Sequence, residues 1–573
     1  MVRDPWRAVM DEAALLRTGA VAGLRLPAID VPWEEPPPGL GDLAFATFLY
    51  AQEVGHPPDE LAARIAAAFR PGRFVRSATP AGGYVNIAVD LHALLAETFT
   101  ALREAGEDYG SGPRQSQRIL LEHTSVNPTG PMNPGRVRNP IIGDALARTL
   151  RRAGFPVTTE YLVNDAGKQI VLLYWGVTHL RPQDVPSALS EKEDLKLLPY
   201  YVKANELAET NPAIAREVQE LIRSFEGGDT ALTLEIRKVA ERVLRGILQT
   251  LERIDIRFDS FFWETDLILQ GKVTPIVESL ANRPETKIED GAYYIDMAPF
   301  GVKGRDTKWF LTKTDGTSLY PTRDIAYHLD KFTRCDIAIN VLGENHRLEF
   351  QQLRVALRLL GARDVEAVFY SYVALPEGGM STRRGRLVMM DDLIDEAIAR
   401  AYAEVRTRRP ELSEARMREI AGTVGIAAVR YNIVRVQAEK KITFRWEEAL
   451  NFEGNSAPFL QYAHARACSI LDKAGPFAPG DPARLTHPEE LKLAKLLAML
   501  PTRIREAADG RRPHILATYA YDVAAQFNLF YRDCPVLPAG PALRDARLAL
   551  VDGSRIVLRN AMDCLGLPAP REM

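Results

Sequence analysis

The sequence predicts a doubly wound, Rossmann-like parallel-sheet α/β domain, with an N-terminal α+β domain before it and a C-terminal all-α helical bundle after it. Three observations predict this order. From about residue 115 to 395, strand-like apolar runs alternate with helical patterns, as in a sheet covered on both faces. Beyond residue 395 nearly everything has helical periodicity. Residues 1–112 hold a mixed pattern of the size of an independent domain. At 573 residues the chain is also too long for one hydrophobic core, so three or more domains are expected.

In the first segment, residues 31–39 read as a Pro/Glu-rich loop, and Gly41, Asp42, Leu43, Ala44 and Phe45 as the opening of a helix that runs into 62–69. A strand is expected at 83–89 and a helix near 91–105. The second segment, 113–395, starts with a buried strand run from Ile119, followed by a turn rich in Pro, Gly and Asn. A helix then begins at Asn139-Pro140, because Asn accepts an orphan N–H and Pro has none to leave unpaired. Ile141, Ile142, Ala145, Leu146 and Leu150 give it an apolar face, and Gly154 after Arg151 and Arg152 ends it with cations at the negative end of the dipole. Upstream, Gly135 permits close backbone approach while Arg136 and Arg138 add charge to a helix N-terminus that already favours anions, a suitable seat for a nucleotide phosphate. The same spacing also describes an ordinary crossover with solvated arginines.

Further along, 341–345 and 367–373 are buried parallel-strand candidates, and the polar helical stretch near 186–250 is an insertion packed beside the sheet. In the third segment, 396–573, helices are expected through 393–405, 417–437 and 488–565.

Composition narrows the class. An apolar content of 46% with 26% charged residues is that of a soluble globular protein, no apolar run reaches membrane-spanning length, and the first residues lack the apolar core of a secretory signal, so no membrane partner and a cytoplasmic location are expected. Cys335, Cys468, Cys534 and Cys564 never adopt the paired spacing of a zinc site, and no metal ligands are assigned. A net charge of −3 argues against nonspecific coating of nucleic acid but leaves room for an RNA met through local basic patches.

Several segments together resemble a known family. Residues 122–148, Glu-His-Thr-Ser-Val-Asn-Pro-Thr-Gly-Pro-Met-Asn-Pro-Gly-Arg-Val-Arg-Asn-Pro-Ile-Ile-Gly-Asp-Ala-Leu-Ala-Arg, are similar to the first signature region of arginyl-tRNA synthetases, class I aminoacyl-tRNA synthetases whose turn reads His-x-Gly-His or His-x-Gly-Arg. Asn133 stands at the first histidine, Gly135 is kept, and Arg136 takes the second histidine position. Asn133 can donate a neutral amide bond toward phosphate but cannot carry an imidazolium charge. Residues 378–385, Gly-Gly-Met-Ser-Thr-Arg-Arg-Gly, resemble the second signature, Lys-Met-Ser-Thr-Arg-Lys-Gly, with Gly379 replacing the lysine. Residues 315–328 resemble the arginine-recognition strand and helix, with Tyr320 and Asp324 at the family's spacing; a carboxylate pairs bidentately with a planar guanidinium. Asn164, Asp165, Gly167 and Gln169 match the segment after the second strand, and Gly343-Glu344-Asn345-His346 the turn whose His approaches adenosine. Residues 453–466, 526–537 and the tail 547–573 are close to the family's anticodon-binding domain.

The resemblance spans essentially the whole chain and implies an enzyme that activates arginine with ATP to arginyl-adenylate and transfers it to the 3′ end of tRNA(Arg). It implies Asn133, Gly135, Arg136, Ser381 and Arg383 as catalytic residues; Asn133, Gly135, Arg136, His346, Met380 and Ser381 for ATP; and Ser125, Asn127, Tyr320 and Asp324 for L-arginine. Tyr462, Phe527 and Tyr531 would stack on unpaired bases while Arg466 and Arg532 meet phosphates. It further implies Mg²⁺ with ATP, a monomer, and an N-terminal domain that touches tRNA. Two alternatives stay open: an arginine-adenylating paralogue with a non-tRNA acceptor, and a tRNA-binding or arginine-sensing paralogue whose altered signatures record weakened catalysis.

Overall fold

Ile119 and Leu121 pack into one apolar cluster and Leu120 into another, as alternating side chains of a strand covered on both faces must. They belong to a computed structural model in which residues 3–303, 307–314, 319–374 and 389–573 are described.

The N-terminal domain contains α1 (Pro5–Gly23), β1 (Leu43–Ala46), α2 (Phe48–Val54), α3 (Pro58–Ala68), β2 (Val75–Ala81), β3 (Tyr84–Val89) and α4 (Leu91–Ala105), with its strands in the antiparallel order β1-β3-β2. Gly82 and Gly83 join β2 to β3 with φ of 56° and 76°, the paired positive values that a two-residue turn needs to match the strand twist. Asp90 caps α4 by accepting from the N–H groups of His92 and Ala93, both at 3.0 Å. The helix expected to open at 41–45 is the strand β1 instead. Leu43, Ala44 and Phe45 are all buried, and the backbone of Ala44 pairs with Glu34 on one side while Phe45 pairs with Val85 on the other, so tertiary pairing overrides the local pattern.

The central domain runs through β4 (Ile119–Glu122), α5 (Arg138–Arg152), β5 (Val157–Val163), α6 (Lys168–His179), α7 (Glu193–Thr210), α8 (Pro212–Glu226), α9 (Thr230–Arg253), β6 (Ser260–Trp263), α10 (Glu264–Leu269) and α11 (Thr274–Ala281). A small antiparallel sheet, β7 (Thr286–Glu289), β8 (Ala292–Asp296) and β9 (Lys308–Phe310), leads to α12 (Tyr320–Arg334), β10 (Ile337–Gly343), α13 (Arg347–Leu359), β11 (Glu366–Tyr370) and β12 (Val373–Ala374). The main sheet is wholly parallel in the order β11-β10-β4-β5-β6. Chain order reverses between β4 and β10, so the crevice beyond their carboxyl ends is where a doubly wound sheet binds ligands. The expected insertion is α7 to α9, tied down where Lys192 Nζ reaches Asp194, Thr250 and Asp391 at 2.8, 2.6 and 2.8 Å.

The remaining elements are α14 (Met390–Arg408), α15 (Glu414–Val434), β13 (Ile442–Thr443), α16 (Trp446–Ala449), α17 (Ala457–Ala474), α18 (Pro488–Ala498), α19 (Leu500–Asp509), α20 (His514–Asp533) and α21 (Pro541–Cys564). Helix α14 runs through the expected 395–396 boundary. The bundle is joined to the sheet by Arg430 on α15, which is fully buried, pairs with Asp144 of α5 and donates to the carbonyl of Ile254 at 2.5 Å. The N-terminal domain leans on the same bundle: Lys495 Nζ meets Asp42 Oδ1 at 2.8 Å and Tyr109 donates to the Leu497 carbonyl at 3.0 Å. Among the described residues no helix is long and apolar enough to cross a membrane.

Candidate active site

The crevice is shaped first by a kink at the tip of β4. Thr124 and Ser125 have φ of 71° and 42°, a left-handed pair that costs a β-branched residue strain and that the surroundings must hold. Asn139 does so: its Oδ1 accepts from the Thr124 N–H at 2.6 Å while its Nδ2 donates to the Val341 carbonyl of β10 at 2.9 Å. Asn139 is therefore not the N-cap that its place before Pro140 suggests. Helix α5 starts two residues earlier, with Val137 in the N-cap place, and the Asn139 side chain ties β4 to β10. Beneath the kink, His123 Nδ1 lies 2.9 Å from Thr124 Oγ1, and burial drives the imidazole pKa down to about 4, so the ring is neutral.

The kink turns the Ser125 hydroxyl toward Glu122 Oε1, to which it donates at 3.1 Å, and it accepts from the Leu162 N–H at 3.2 Å. Asn127 Nδ2 donates to Gln169 Oε1 at 3.0 Å, joining the segment after β4 to the start of α6. Glu122 Oε2 accepts from Lys331 Nζ at 2.6 Å, and Lys331, with no exposed side-chain surface, also donates to Asn340 Oδ1 at 2.9 Å. That second bond fixes the Asn340 amide, whose Nδ2 then faces His328 Nε2 at 2.8 Å. His328 Nδ1 in turn lies 2.8 Å from the Asp324 carbonyl and 3.2 Å from Asp324 Oδ1. Burial works against ionisation of Asp324, but His328, Lys331 and His346 outweigh it and hold the carboxyl below its ordinary value. Its side chain is 43% exposed and faces the crevice side of α12, where Tyr320 is also open. Next to it, Arg323 pairs with buried Glu264 at 2.5 Å.

On the other side of the crevice, Asn133 Oδ1 accepts from the Arg136 N–H at 3.2 Å and caps a single 3₁₀ turn, Pro134–Arg136. Gly135 lies inside that turn, and Asn133 and Arg136 are exposed. His346 ends a second 3₁₀ turn, Glu344–His346, directly after β10, and is also exposed. Arg138 departs from the expectation that it meets phosphate. It is 0% exposed, and its guanidinium donates to main-chain carbonyls, because the first turn of α5 points it into the protein. Met380, Ser381 and Arg383 lie outside the described residues.

In the helical bundle, the Arg466 guanidinium sits 4.5 Å from the Tyr462 ring centre and 4.9 Å from that of Tyr531, with both tyrosines partly open to solvent. Arg532 is exposed and pairs with Asp533 at 2.7 Å. Phe527 corrects an expectation: it is fully buried, 6.2 Å from Phe530 between ring centres, and a ring without exposed surface cannot stack on a base.

The sequence reading missed Glu122, His328, Lys331, Asn340 and Glu264. A signal existed for three of them. Glu122 is a carboxylate ending an apolar strand, and Asp324, His328 and Lys331 follow helical spacing along one face of α12. The sequence could not name the partners of Glu122, Lys331 and Glu264, which lie on elements far away in the chain.

Residues 99–446 match the profile described as tRNA synthetases class I (R), catalytic domain; residues 460–573 match the DALR anticodon binding domain, and residues 13–89 the arginyl tRNA synthetase N terminal domain. The chain is 43% identical over 527 residues to the arginine-tRNA ligase of Methanocella arvoryzae, covering 92% of each chain. It is 42% identical over 572 residues to that of Haloarcula marismortui, covering 97% of each. The solved arginyl-tRNA synthetase of Thermus thermophilus superposes with a TM-score of 0.84 at 29% identity, covering 98% of this chain and 100% of that one.

Proposed function

We propose how the crevice works from the premise that this chain belongs to the arginyl-tRNA synthetase family and is an arginine-tRNA ligase. Arginine and ATP bind side by side across β4 and β10. An arginine carboxylate oxygen attacks the α-phosphorus of ATP, pyrophosphate leaves, and a terminal ribose hydroxyl of tRNA(Arg) then attacks the adenylate carbonyl, releasing AMP. Little covalent chemistry is asked of the protein; positioning and stabilisation of phosphate charge do most of it.

The observation that carries the arginine assignment is the braced carboxylate. Asp324 is held ionised and oriented by His328, and a fixed carboxylate beside the open Tyr320 hydroxyl matches the fork of a guanidinium. Ser125 and Asn127 take the amino-acid head group at the β4 kink. Asn133, Gly135 and Arg136 receive phosphates, His346 faces the adenosine, and Met380, Ser381 and Arg383 complete the ATP side. Among the described residues no three His, Cys, Asp or Glu side chains converge as a metal cage. Mg²⁺ would arrive on the ATP phosphates with most of its water, a mode this ion favours. Tyr462, Arg466, Tyr531 and Arg532 are the surface offered to the anticodon loop, and the N-terminal domain a further contact with tRNA. A monomer acting in the cytoplasm completes this reading.

The test is arginine-dependent pyrophosphate exchange and aminoacylation, with and without tRNA bearing an arginine anticodon. Both activities are expected. Exchange without tRNA charging would favour a non-tRNA acceptor, and no exchange a sensor. Asp324→Asn should weaken arginine by about 2–4 kcal/mol with the KM for ATP little changed; equal losses for both ligands would remove Asp324 from the arginine site.

A further inference from the structure

Arg138 and Arg430 are the largest fully buried side chains among the described residues, and the partners of Arg138 there are main-chain carbonyls. Nη1 donates to Ser371 at 2.8 Å and Lys440 at 2.6 Å; Nη2 donates to Gln437 at 2.7 Å and reaches Val436 at 3.4 Å. These carbonyls come from two segments far apart in sequence, the link between β11 and β12 and the link between α15 and β13. The segments are also bonded to each other. The Ser371 N–H donates to the Ala438 carbonyl at 3.0 Å, its hydroxyl lies 2.8 Å from the Glu439 carbonyl and 2.7 Å from Glu344 Oε2, and β12 and β13 form a parallel pair.

The placement of this junction matters. Strand β12 leads directly into residues 375–388, and on their far side the Met390 N–H donates to the Met132 carbonyl at 2.9 Å, one residue before Asn133. Arg138 itself lies two residues after Arg136. The link into β12 and the start of α14 are thus both fastened near the Pro134–Arg136 turn, and Arg138, two residues past that turn, grips the first of these fastenings. Burial lowers its pKa to about 10, still high enough to keep the guanidinium charged near neutrality. A lysine carries the charge but presents one nitrogen in place of the two Nη atoms: it can at best replace Nη1 at Ser371 and Lys440, and it leaves the Gln437 carbonyl that Nη2 holds without its donor.

We infer that Arg138 is a positioning residue for adenylate formation, fixing the Asn133–Arg136 turn against the β12–β13 junction so that the phosphate side of the crevice keeps its spacing. This rests on the assignment of that turn to ATP given above. A merely structural arginine would, when replaced, lower the amount of folded enzyme and leave both Michaelis constants alone.

The experiment measures arginine-dependent pyrophosphate exchange in the full chain for Arg138→Lys, Ser371→Ala and Asn133→Ala, varying ATP and arginine separately, with thermal unfolding in parallel. Arg138→Lys is expected to lower kcat by about tenfold and raise the KM for ATP about fivefold, with the KM for arginine within about twofold. Ser371→Ala loosens the same junction and should raise the KM for ATP in the same direction by a smaller factor. A KM for ATP unmoved in both folded variants overturns the inference, and if Arg138→Lys does not fold, Ser371→Ala decides it alone. Asn133→Ala separates the two readings. A raised KM for ATP there, with none in the junction variants, removes Arg138 and keeps the turn on the ATP side; the reverse pattern keeps Arg138 and removes Asn133.

Discussion

The two sides of the crevice are built on opposite plans. On the arginine side, Asp324 is the exposed end of a chain of polar groups, the buried His328, Asn340, Lys331 and Glu122 and then the half-buried Ser125, each bonded to the next at 2.6–3.2 Å. On the phosphate side, Asn133 and Arg136 are exposed, and the bond between them is a backbone cap. The difference follows from the ligands. A guanidinium is a planar fork and rewards a carboxylate locked in one orientation, whereas a phosphate presents acceptors in every direction and needs only donors and charge nearby. Arg136 and Arg138 show the same division within one motif: the first faces solvent at the crevice, and the second is spent on carbonyls behind it.

The sharpest way to break the comparison is to cut the buried chain. In Lys331→Met a chain of similar length loses both hydrogen bonds, and Glu122 keeps a buried charge without its cation. Leaving one member of a buried pair alone costs about 3–5 kcal/mol. Urea unfolding of the variant should show a loss of that size, together with a raised KM for arginine. A loss under about 1 kcal/mol would mean that Glu122 escapes its burial by protonation or movement, and that the arginine side is no more braced than the phosphate side.

Acid separates the crevice surface from its floor. His123 is neutral in the fold with a pKa of about 4, below the ordinary 6.5. A depressed folded value means that stability is fully present above pH 6.5 and is lost as the pH falls toward 4, by about 3 kcal/mol over the window. Asp324 obeys the same sign at a lower pH: its carboxyl is held below the ordinary value, so it stays ionised through this window. Unfolding free energy should therefore drop between pH 6.5 and 4.5 while the KM for arginine stays level. In His123→Asn the drop should shrink by about 2 kcal/mol; an unchanged slope would assign it to other groups.

How much of this was legible in the sequence differs between the same two sides. Order and type of elements followed from periodicity through most of the chain, as with α4 and the parallel strands, because burial on one or two faces writes itself into apolar spacing. Residues 43–46 misled because a strand paired on both sides buries consecutive residues and so imitates the apolar opening of a helix. At the site, residue types were legible and directions were not. Asn139 and Arg138 have the identities of a cap and a phosphate ligand, yet both side chains serve long-range main-chain bonds whose partners, Val341, Gln437 and Lys440, lie about 200 to 300 residues away. Phe527 failed for a simpler reason: in a bundle helix, stacking rings and core rings share the same spacing, and only the fold separates it from Tyr531.

The smallest expected effect on stability gives the most selective test of the phosphate side. Asn133 has two candidate duties: its Oδ1 caps the Arg136 N–H, and its Nδ2, which donates to none of the described residues, can donate toward an incoming phosphate. Aspartate is as good a cap as asparagine, so Asn133→Asp should keep the 3₁₀ turn and change unfolding free energy by no more than about 0.5 kcal/mol. It replaces the amide donor with a charged acceptor, which repels phosphate. If the donor matters, pyrophosphate exchange falls by at least about tenfold and the KM for ATP rises, while Asn133→His, which returns a ring nitrogen donor, keeps exchange near the parent's rate or above it. If exchange in Asn133→Asp equals that of the parent, Asn133 is a cap and nothing more, and Arg136 with the turn's backbone carries the phosphate side.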